Sequence, residues 1–248
     1  MSQVLTERRG PALWVTFNRP EAHNAMTFAM YEDLFDACEA ADADDAVRVL
    51  VLRGAGDKAF VAGTDIRQFA DFDESGADAL AYEATIDRIV GRLETVGKPT
   101  VALVDGFAMG SGLALSAACD LRICTPEARF GLPIARTVGN CLSMANYARL
   151  AALLGEARLK DIVLTARSIR ADEAHAVGLA TEVVDDAEAR TTELCQTLAA
   201  HAPQTIRITK EALRRLRAAG LPDGDDLVRE AYASQDFRDR VAAFLAKG

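Results

Sequence analysis

The residues best suited to chemistry are Gly110-Ser111-Gly112, which open an apolar stretch that runs to Cys119. The first backbone N–H groups of a helix have no partner within the helix, and the helix dipole adds partial positive charge there. Such a helix start can stabilise a developing negative charge, as an oxyanion hole does. The same glycines also allow a buried helix to pack closely, so the motif alone leaves both interpretations open.

Two other segments, like the one around Gly110-Ser111-Gly112, come after a predicted strand. Residues Asn18–Met26 (NRPEAHNAM) leave the strand Ala12–Asn18, and residues Ala59–Ile66 (AFVAGTDI) follow the strand Val47–Arg53. α/β sheets place their ligand sites at the ends of strands. We therefore expect the three segments to build one site.

The surrounding pattern predicts a mixed α/β chain. Thr27 can cap a helix whose apolar residues Phe28, Tyr31, Leu34, Phe35 and Cys38 recur at helical spacing. Further elements are predicted at Asp78–Val96 (helix), Thr100–Val104 (strand), Gly110–Cys119 (short buried helix), Leu121–Cys124 (strand) and Thr181–Val184 (strand). Helical patterns fill Ala189–Ala200, Gln204–Ala219 and Asp225–Ala246. These patterns predict an α/β core over about 1–190 and a helical C-terminal region over 191–248.

Composition excludes several classes of protein. The 248 residues include 28 basic and 37 acidic side chains, a formal net charge of −9, and half are hydrophobic. This chain can bury a large core and repels phosphate backbones, so disorder and nucleic-acid binding are not expected. The weakly polar run Thr100–Cys119 contains Asp105 and many small residues, so no membrane span is expected. Met1–Pro11 has no apolar core of a signal peptide, so we expect a cytoplasmic protein.

Several motifs fail when they are tested. Gly54–Ala59 fits a loose dinucleotide pattern, but no helix opens after it. Gly91–Lys98 has the wrong glycine spacing for a P-loop, and a nucleophile elbow around Ser111 would need glycines at Met109 and Leu113. The three histidines show no metal-ligand spacing with carboxylates, so no metal site is expected. The five cysteines form no C-x-x-C pair and are expected to be reduced core thiols.

Taken together, the three segments resemble the crotonase superfamily, the enoyl-CoA hydratase/isomerase family, over nearly the whole chain. The residues Cys119-Asp120-Leu121-Arg122, Arg129-Phe130-Gly131-Leu132-Pro133 and Ala243–Lys247 add to this resemblance. It implies an α/β spiral of ββα units with a helical C-terminal region that forms homotrimers, usually paired into hexamers. It also implies an acyl-CoA thioester substrate whose enolate is stabilised by the backbone N–H groups of Thr64 and Ser111.

The resemblance further assigns contacts with the pantetheine, adenine and nucleotide parts of coenzyme A. These contacts fall on Ala22, Ala62, Asp65, Ile66, Arg67, Phe244 and Lys247. Coenzyme A enters as part of the substrate, and no covalently bound cofactor is implied.

The sequence departs from the family pattern at two positions. Ala114 and Ile134 stand where the resemblance implies the two glutamates that hydratases use to activate water and deliver a proton. The resemblance implies an enolate-forming enzyme, a lyase or isomerase, and these two departures leave its reaction open. The alternatives are a decarboxylase, hydrolase or isomerase of a functionalised acyl-CoA, a CoA-thioester binding protein without hydratase activity, or a hydrolase of a substrate without CoA.

Arg136 is the tentative replacement, four residues before Asn140 and on the same face if this stretch is helical. An arginine stays protonated, so it cannot serve as a base, but it can bind a substrate carboxylate or the enolate. An outward ion pair is the other interpretation of Arg136. Candidate bases from elsewhere in the chain are Asp65, Asp71, Tyr82 and Glu83, each of which could equally be a solvated helix or loop residue.

Overall fold

The computed structural model describes residues 2–70, 72, 76–219, 225, 229 and 232–246. The strands in these residues are β1 (Val4–Arg9), β2 (Ala12–Phe17), β3 (Val49–Gly54), β4 (Ala59–Val61), β5 (Thr100–Val104), β6 (Phe107–Met109), β7 (Leu121–Cys124), β8 (Arg129–Gly131), β9 (Ser168–Arg170) and β10 (Glu182–Val183). The helices are α1 (Phe28–Ala43), α2 (Ala77–Thr95), α3 (Ser111–Ala118), α4 (Ile134–Thr137), α5 (Met144–Leu154), α6 (Glu156–Thr165), α7 (Ala171–Ala176), α8 (Ala187–Ala200), α9 (Pro203–Ala218) and α10 (Gln235–Leu245).

The strands form two sheets, and successive pairs of strands add one strand to each. The first sheet has the order β1-β2-β3-β5-β7-β10, and the second has the order β4-β6-β8-β9. All neighbours are parallel except β1 with β2 and β8 with β9. A helix follows each of the pairs β3–β4, β5–β6 and β7–β8. This repeat confirms the predicted α/β spiral of ββα units.

The central strands β3 and β5 of the first sheet are buried on both faces, as strands of parallel sheets usually are, whereas the edge strand β1 is largely exposed. Along β3, Leu50 and Leu52 point into the main core while Val49 and Val51 point into a second cluster under α8. Alternate residues of a strand point to opposite faces, so one apolar run supplies both cores. The sheet is thereby held rigidly, and the ends of its strands can position a site.

Several predicted elements are confirmed, whereas β1, α5, α6 and the shortest strands were missed. β5 and β7 have the predicted limits, α3 lies within a residue of its prediction, and Thr27 Oγ1 accepts a hydrogen bond from Met30 N at 3.3 Å as the cap of α1. The strands β4, β6 and β8 have three residues each, too few for a visible alternation of apolar and polar residues. The predicted helix Asp225–Ala246 is described from Gln235 to Leu245 as α10, and part of the remainder lies outside the described residues.

The C-terminal helices differ in what they cover. The predicted boundary at residue 190 falls inside α8, which packs on β3, β5 and β7. The next helix, α9, exposes Ile208, Leu213 and Leu216. α10 packs on a short 3₁₀ turn at Ile66–Phe69. In the described parts of the chain, no helix has the length and apolar character needed to cross a bilayer.

The start of helix α3 packs directly against the backbone of β4. A Cβ placed on Gly112 would lie 2.1 Å from the carbonyl oxygen of Val61, a distance that real Cβ atoms do not reach. Only glycine therefore allows the start of α3 to approach this strand so closely.

We expect Gly112→Ala to lower the free energy of unfolding by at least about 2 kcal/mol, because backbone must shift to accommodate the methyl group. Gly91→Ala is the matched control, since Gly91 lies within α2 and an added Cβ there meets nothing within 4 Å. That control should gain about 0.5–1 kcal/mol. Urea unfolding followed by circular dichroism measures both, and equal stability of the two variants would contradict the packing argument.

Candidate active site

A cavity of about 270 Å³ lies where the segments after β4 and β6 meet α2 and the residues around α4. Its wall combines backbone, apolar side chains and a few polar groups. The apolar part includes Ile66, Phe69, Ile86, Ala114, Ile134, Val138 and Leu142, and the polar part includes Thr64, Tyr82, Glu83, Ser111, Asn140 and Asn146. An apolar pocket with few, fixed polar groups is typical of a small-molecule site.

Two backbone N–H groups in this wall have no hydrogen-bond partner among the described residues. Met26 pairs with the residues on both sides of Thr64, through Gly63 O and Asp65 N at 2.9 Å each, so the N–H of Thr64 is left unpaired. Ser111 is the first residue of α3, and its N–H has no partner either. The positive φ angles of Gly63 (116°) and Gly110 (54°) turn the chain just before each of these residues. The two amides belong to touching segments, since a Cβ on Gly110 would lie 3.5 Å from Gly63 Cα.

The side chain of Thr64 fixes the loop that carries the first amide. Its Oγ1 lies 2.7 Å from the hydroxyl oxygen of Tyr31 on α1 and 2.8 Å from that of Tyr82 on α2. Burial raises the pKa of Tyr31 to about 12 and places the pKa of Tyr82 well above 10. Both tyrosines are therefore neutral hydrogen-bonding groups at ordinary pH, and they tie the Thr64 loop to two helices.

Glu83 carries the only carboxyl group among the described residues that line the cavity. Its side chain is buried, with 6% exposure. Oε1 accepts a hydrogen bond from the Tyr232 hydroxyl at 2.8 Å, and Oε2 accepts one from the backbone N–H of Ser143 at 3.2 Å. No arginine or lysine forms an ion pair with it in the described part of the chain.

This environment raises the pKa of Glu83 to about 7. Burial is the largest cause, because the charged form loses its hydration, and the nearby Asp87 raises the pKa further. The hydrogen bonds from Tyr232 and Ser143 act in the opposite direction. A carboxyl group with such a pKa can both accept and donate a proton near neutral pH.

Asp65 has a structural role in this arrangement. It accepts hydrogen bonds from Arg67 at 2.9 and 2.7 Å and from Arg19 at 3.2 Å. The hydrogen bond from the Arg67 side chain is the main reason that the pKa of Asp65 lies below its usual value. Asp65 is thus held as a carboxylate, and it lies outside the residues that line the cavity.

The structure brings five of the ten predicted catalytic and binding residues to this cavity. Thr64, Ser111, Ala62, Ile66 and Phe244 line it. Ala22 and Arg67 lie in the adjoining segments without lining it; the Ala22 segment is tied to the site by a hydrogen bond from Ala62 N to His23 O. Lys247 and the candidate base Asp71 lie outside the described residues.

Arg136 is not brought into the cavity wall. It is exposed and does not line the cavity, whereas Asn140 does. The interpretation that the two share a helical face is corrected here, because α4 ends at Thr137. Helical spacing applies only while the helix continues.

Sequence reasoning missed Tyr232 and Asn146. Tyr232 comes from the C-terminal region and is 149 residues from Glu83 in the sequence. No local pattern links the two, and the only signal for Tyr232 was its position in a predicted apolar helix face.

No cluster of three metal-ligating side chains occurs in the described ranges. A larger groove of about 740 Å³ runs between the end of α2 and α9. Charged side chains line that groove and pair with one another, for example Arg214 and Arg215 with Glu211. The smaller cavity, with its unpaired amides and buried carboxyl group, is therefore the better candidate for a reaction site.

The fold and this site together define a protein of the crotonase fold. The profile of the family Enoyl-CoA hydratase/isomerase matches residues 8–247, and the chain belongs to this family. It is 30% identical to the short-chain-enoyl-CoA hydratase of Clostridium acetobutylicum over 253 residues, which cover 100% of this chain and 96% of that protein. It is 31% identical to the 2,3-dehydroadipyl-CoA hydratase of Escherichia coli, with 100% and 97% covered.

Solved structures give the same result. An enoyl-CoA hydratase/carnithine racemase from Magnetospirillum magneticum superposes with a TM-score of 0.83 at 31% identity, covering 100% of this chain and 94% of that one. A methylmalonyl-CoA decarboxylase in complex with 2-nitronate-propionyl-CoA superposes with a TM-score of 0.89 at 26% identity, covering 99% and 96%. Proteins named as hydratases and as a decarboxylase thus share this fold.

The raised pKa of Glu83 predicts a pH-dependent stability. The folded protein holds the Glu83 proton up to a pH of about 7 while the unfolded chain releases it near 4.5, so stability falls as pH rises between these values. The loss is on the order of 3 kcal/mol. Glu83→Gln lacks this titration, so its free energy of unfolding should exceed that of the wild type by a larger margin at pH 8 than at pH 5.

Urea unfolding at the two pH values measures this difference. The exposed Glu127→Gln is the control and should show the same dependence as the wild type. An unchanged difference between Glu83→Gln and wild type at pH 5 and pH 8 would show that Glu83 does not titrate with a raised pKa.

Proposed function

We propose that this protein is an acyl-CoA enzyme that forms a thioester enolate, with the N–H groups of Thr64 and Ser111 as the oxyanion hole and Glu83 as the acid/base. One observation carries the proposal. Among the described residues, two backbone amides without a partner and one buried carboxyl group with a pKa of about 7 line the same apolar cavity.

The amides supply electrostatic stabilisation. When a proton or a carboxyl group leaves the α-carbon of a thioester, negative charge moves to the carbonyl oxygen. Two fixed N–H donors aimed at this oxygen lower the barrier, and they do so more strongly in an apolar cavity than in water. The donors belong to backbone, so the side chains at positions 64 and 111 need not take part in the reaction.

Glu83 supplies the proton transfer. As a carboxylate it takes a proton from the α-carbon, and as a carboxylic acid it returns one. The pKa near 7 allows each form to be present under neutral conditions, which suits a group that must act in both directions.

The relatives named as acyl-CoA hydratases support coenzyme A as the carrier of the substrate. Ala62, Ile66 and Phe244 line the cavity, and in our proposal they contact the pantetheine at its mouth. Arg67, whose side chain is 62% exposed, offers positive charge to the phosphates in a chain of net charge −9. Coenzyme A remains part of the substrate, without a covalent cofactor.

We also propose that the protein assembles as a homotrimer or a hexamer. The exposed apolar side chains Ile208, Leu213 and Leu216 on α9 support this, since a row of such residues on a helix is usually covered by a partner.

The reaction itself has two candidates, hydration of an enoyl-CoA and decarboxylation of a carboxylated acyl-CoA. Ala114 and Ile134 make the cavity wall apolar where the resemblance implies the hydratase glutamates. Decarboxylation needs an oxyanion hole but no second carboxyl group to activate water. The TM-score of 0.89 with the methylmalonyl-CoA decarboxylase favours this candidate, whereas the hydratase relatives favour the first.

Glu83→Gln should slow α-proton exchange of a saturated acyl-CoA into deuterated water by at least about 100-fold, because it removes the base but keeps the amides. Proton NMR follows the exchange, and Glu127→Gln is the control. Acyl-CoA binding should remain, and isothermal titration measures it. Exchange at the wild-type rate in Glu83→Gln would exclude Glu83 as the base, and binding without any exchange in the wild type would favour a non-catalytic binding protein.

Arg136→Ala tests the remaining candidate from the sequence. Because Arg136 lies outside the cavity wall, we expect its removal to change turnover by less than about threefold, measured by loss of enoyl-thioester absorbance and by release of carbon dioxide from methylmalonyl-CoA. A loss of tenfold or more, about 1.4 kcal/mol in the barrier, would show that Arg136 acts in the transition state.

A further inference from the structure

The carboxyl group of Glu83 is held by a residue from the other end of the chain. The hydroxyl of Tyr232 donates to Glu83 Oε1 at 2.8 Å, and Asn140 Nδ2 donates to the same hydroxyl oxygen at 3.0 Å. Tyr232 is 3% exposed, and Glu83 is 6% exposed. The three side chains therefore form a hydrogen-bonded chain that leads from the cavity wall to its only described carboxyl group.

The chemistry of the groups fixes the direction of these hydrogen bonds. A carboxylate can only accept, so the tyrosine must give its single proton to Glu83. The tyrosine oxygen is then free to accept, and Asn140 fills this role with its amide N–H. With the amide N–H of Asn140 donating to the tyrosine oxygen, the Tyr232 proton is directed to Glu83.

Tyr232 is held in place by aromatic packing. Its ring centroid lies 4.8 Å from that of Phe237, 6.3 Å from that of Phe69 and 6.4 Å from that of Tyr82. Phe69 and Tyr82 line the cavity themselves. A phenylalanine in place of Tyr232 would keep this packing and lose only the hydroxyl.

We infer that Tyr232 is a positioning residue for Glu83, which holds the carboxylate through a hydrogen bond oriented by Asn140 and so sets the pH range in which Glu83 can act as a base. This inference rests on the proposed function for its catalytic meaning, but the effect on Glu83 itself can be measured without turnover. It gives the C-terminal segment a part in the chemistry beyond packing.

Other titratable groups lie around Glu83. They are Tyr31 on α1, Tyr82 and Asp87 on α2, Cys141, Tyr147 on α5 and Tyr232 itself. Burial raises the pKa of Cys141 and of Tyr31 to about 12 and places that of Tyr232 well above 10. Burial also raises the pKa of Asp87, and this effect is partly offset by the Ser143 hydroxyl, which donates to Asp87 at 2.5 Å, and by Arg149. The Glu83→Gln variant therefore serves to tell the carboxyl signal of Glu83 from that of Asp87.

Tyr232→Phe is the test, and Tyr147→Phe is the matched control. Tyr147 lies near Glu83 but makes no hydrogen bond to it and does not line the cavity. The titration of Glu83 is read in the free protein from the side-chain carboxyl carbon in ¹³C NMR, with Glu83→Gln used to assign the signal. A hydrogen bond to a charged group is worth enough to shift this midpoint upward by about one to two pH units in Tyr232→Phe, and Tyr147→Phe should stay at the wild-type midpoint.

The pH profile of α-proton exchange gives the second readout. In Tyr232→Phe the rise of the rate with pH should move upward by the same amount, with the high-pH rate within about threefold of the wild type. Asn140→Asp is the second variant, because a carboxylate at position 140 can accept the Tyr232 proton and adds negative charge; it should also move the Glu83 midpoint upward.

The outcomes separate the two proposals. A shifted NMR midpoint in a protein without exchange activity would support the role of Tyr232 and contradict the proposed function. Normal exchange with an unmoved midpoint in Tyr232→Phe would overturn the role of Tyr232 and leave the proposed function in place. A rate lowered equally at all pH values, with an unmoved midpoint and wild-type thermal stability, would also overturn it.

Discussion

The site depends on one close contact between backbones. The start of α3 lies against β4 so tightly that no side chain fits at Gly112, whose added Cβ would reach the Val61 carbonyl at 2.1 Å. The parallel pairing of β4 with β6 sets this distance, since Ala108 stands opposite Val61 just before α3 begins. This contact brings the amides of Thr64 and Ser111 to one cavity, and the turns at Gly63 and Gly110 leave both amides without a partner in the part of the chain that the structure describes. Backbone donors placed in this way cost no reorganisation when charge develops.

The second requirement is a carboxyl group whose pKa lies near neutral pH. Burying a carboxylate without an ion pair is costly, and the structure compensates only in part with two hydrogen bonds to Glu83. The contrast with Asp65 is instructive, because that carboxylate is equally buried but is bound by Arg19 and Arg67. Two acidic residues in adjoining parts of one site therefore have opposite pKa shifts, and their partners decide which of them is structural and which is suited to proton transfer.

The cavity wall also bears on the choice between reactions. Ala114 and Ile134 both face it, so the wall is apolar at two positions where a carboxylate would be needed to activate water in the manner that the family resemblance implies. An apolar wall beside the proposed oxyanion hole suits a reaction in which the enolate forms without attack by water. The neighbouring structures include enzymes named for hydration and for decarboxylation, so the fold by itself does not choose between the two reactions.

The sequence by itself determined several elements of the fold. The runs Thr100–Val104 and Leu121–Cys124 are rich in apolar residues, as strands are, and Gly110-Ser111-Gly112 marked the start of α3. The pairing of the Thr64 and Ser111 amides as an oxyanion hole was implied by the family resemblance and remains a proposal. Only the tertiary structure showed that, of the three candidate bases among the described residues, Tyr82 and Glu83 line the cavity and Asp65 does not. Burial and partners come from residues far apart in the chain, such as Tyr232 at 149 residues from Glu83, and no local pattern records them. It also decided against a shared helical face for Arg136 and Asn140, because α4 ends at Thr137 and Gly139, with a φ of 77°, turns the chain before Asn140.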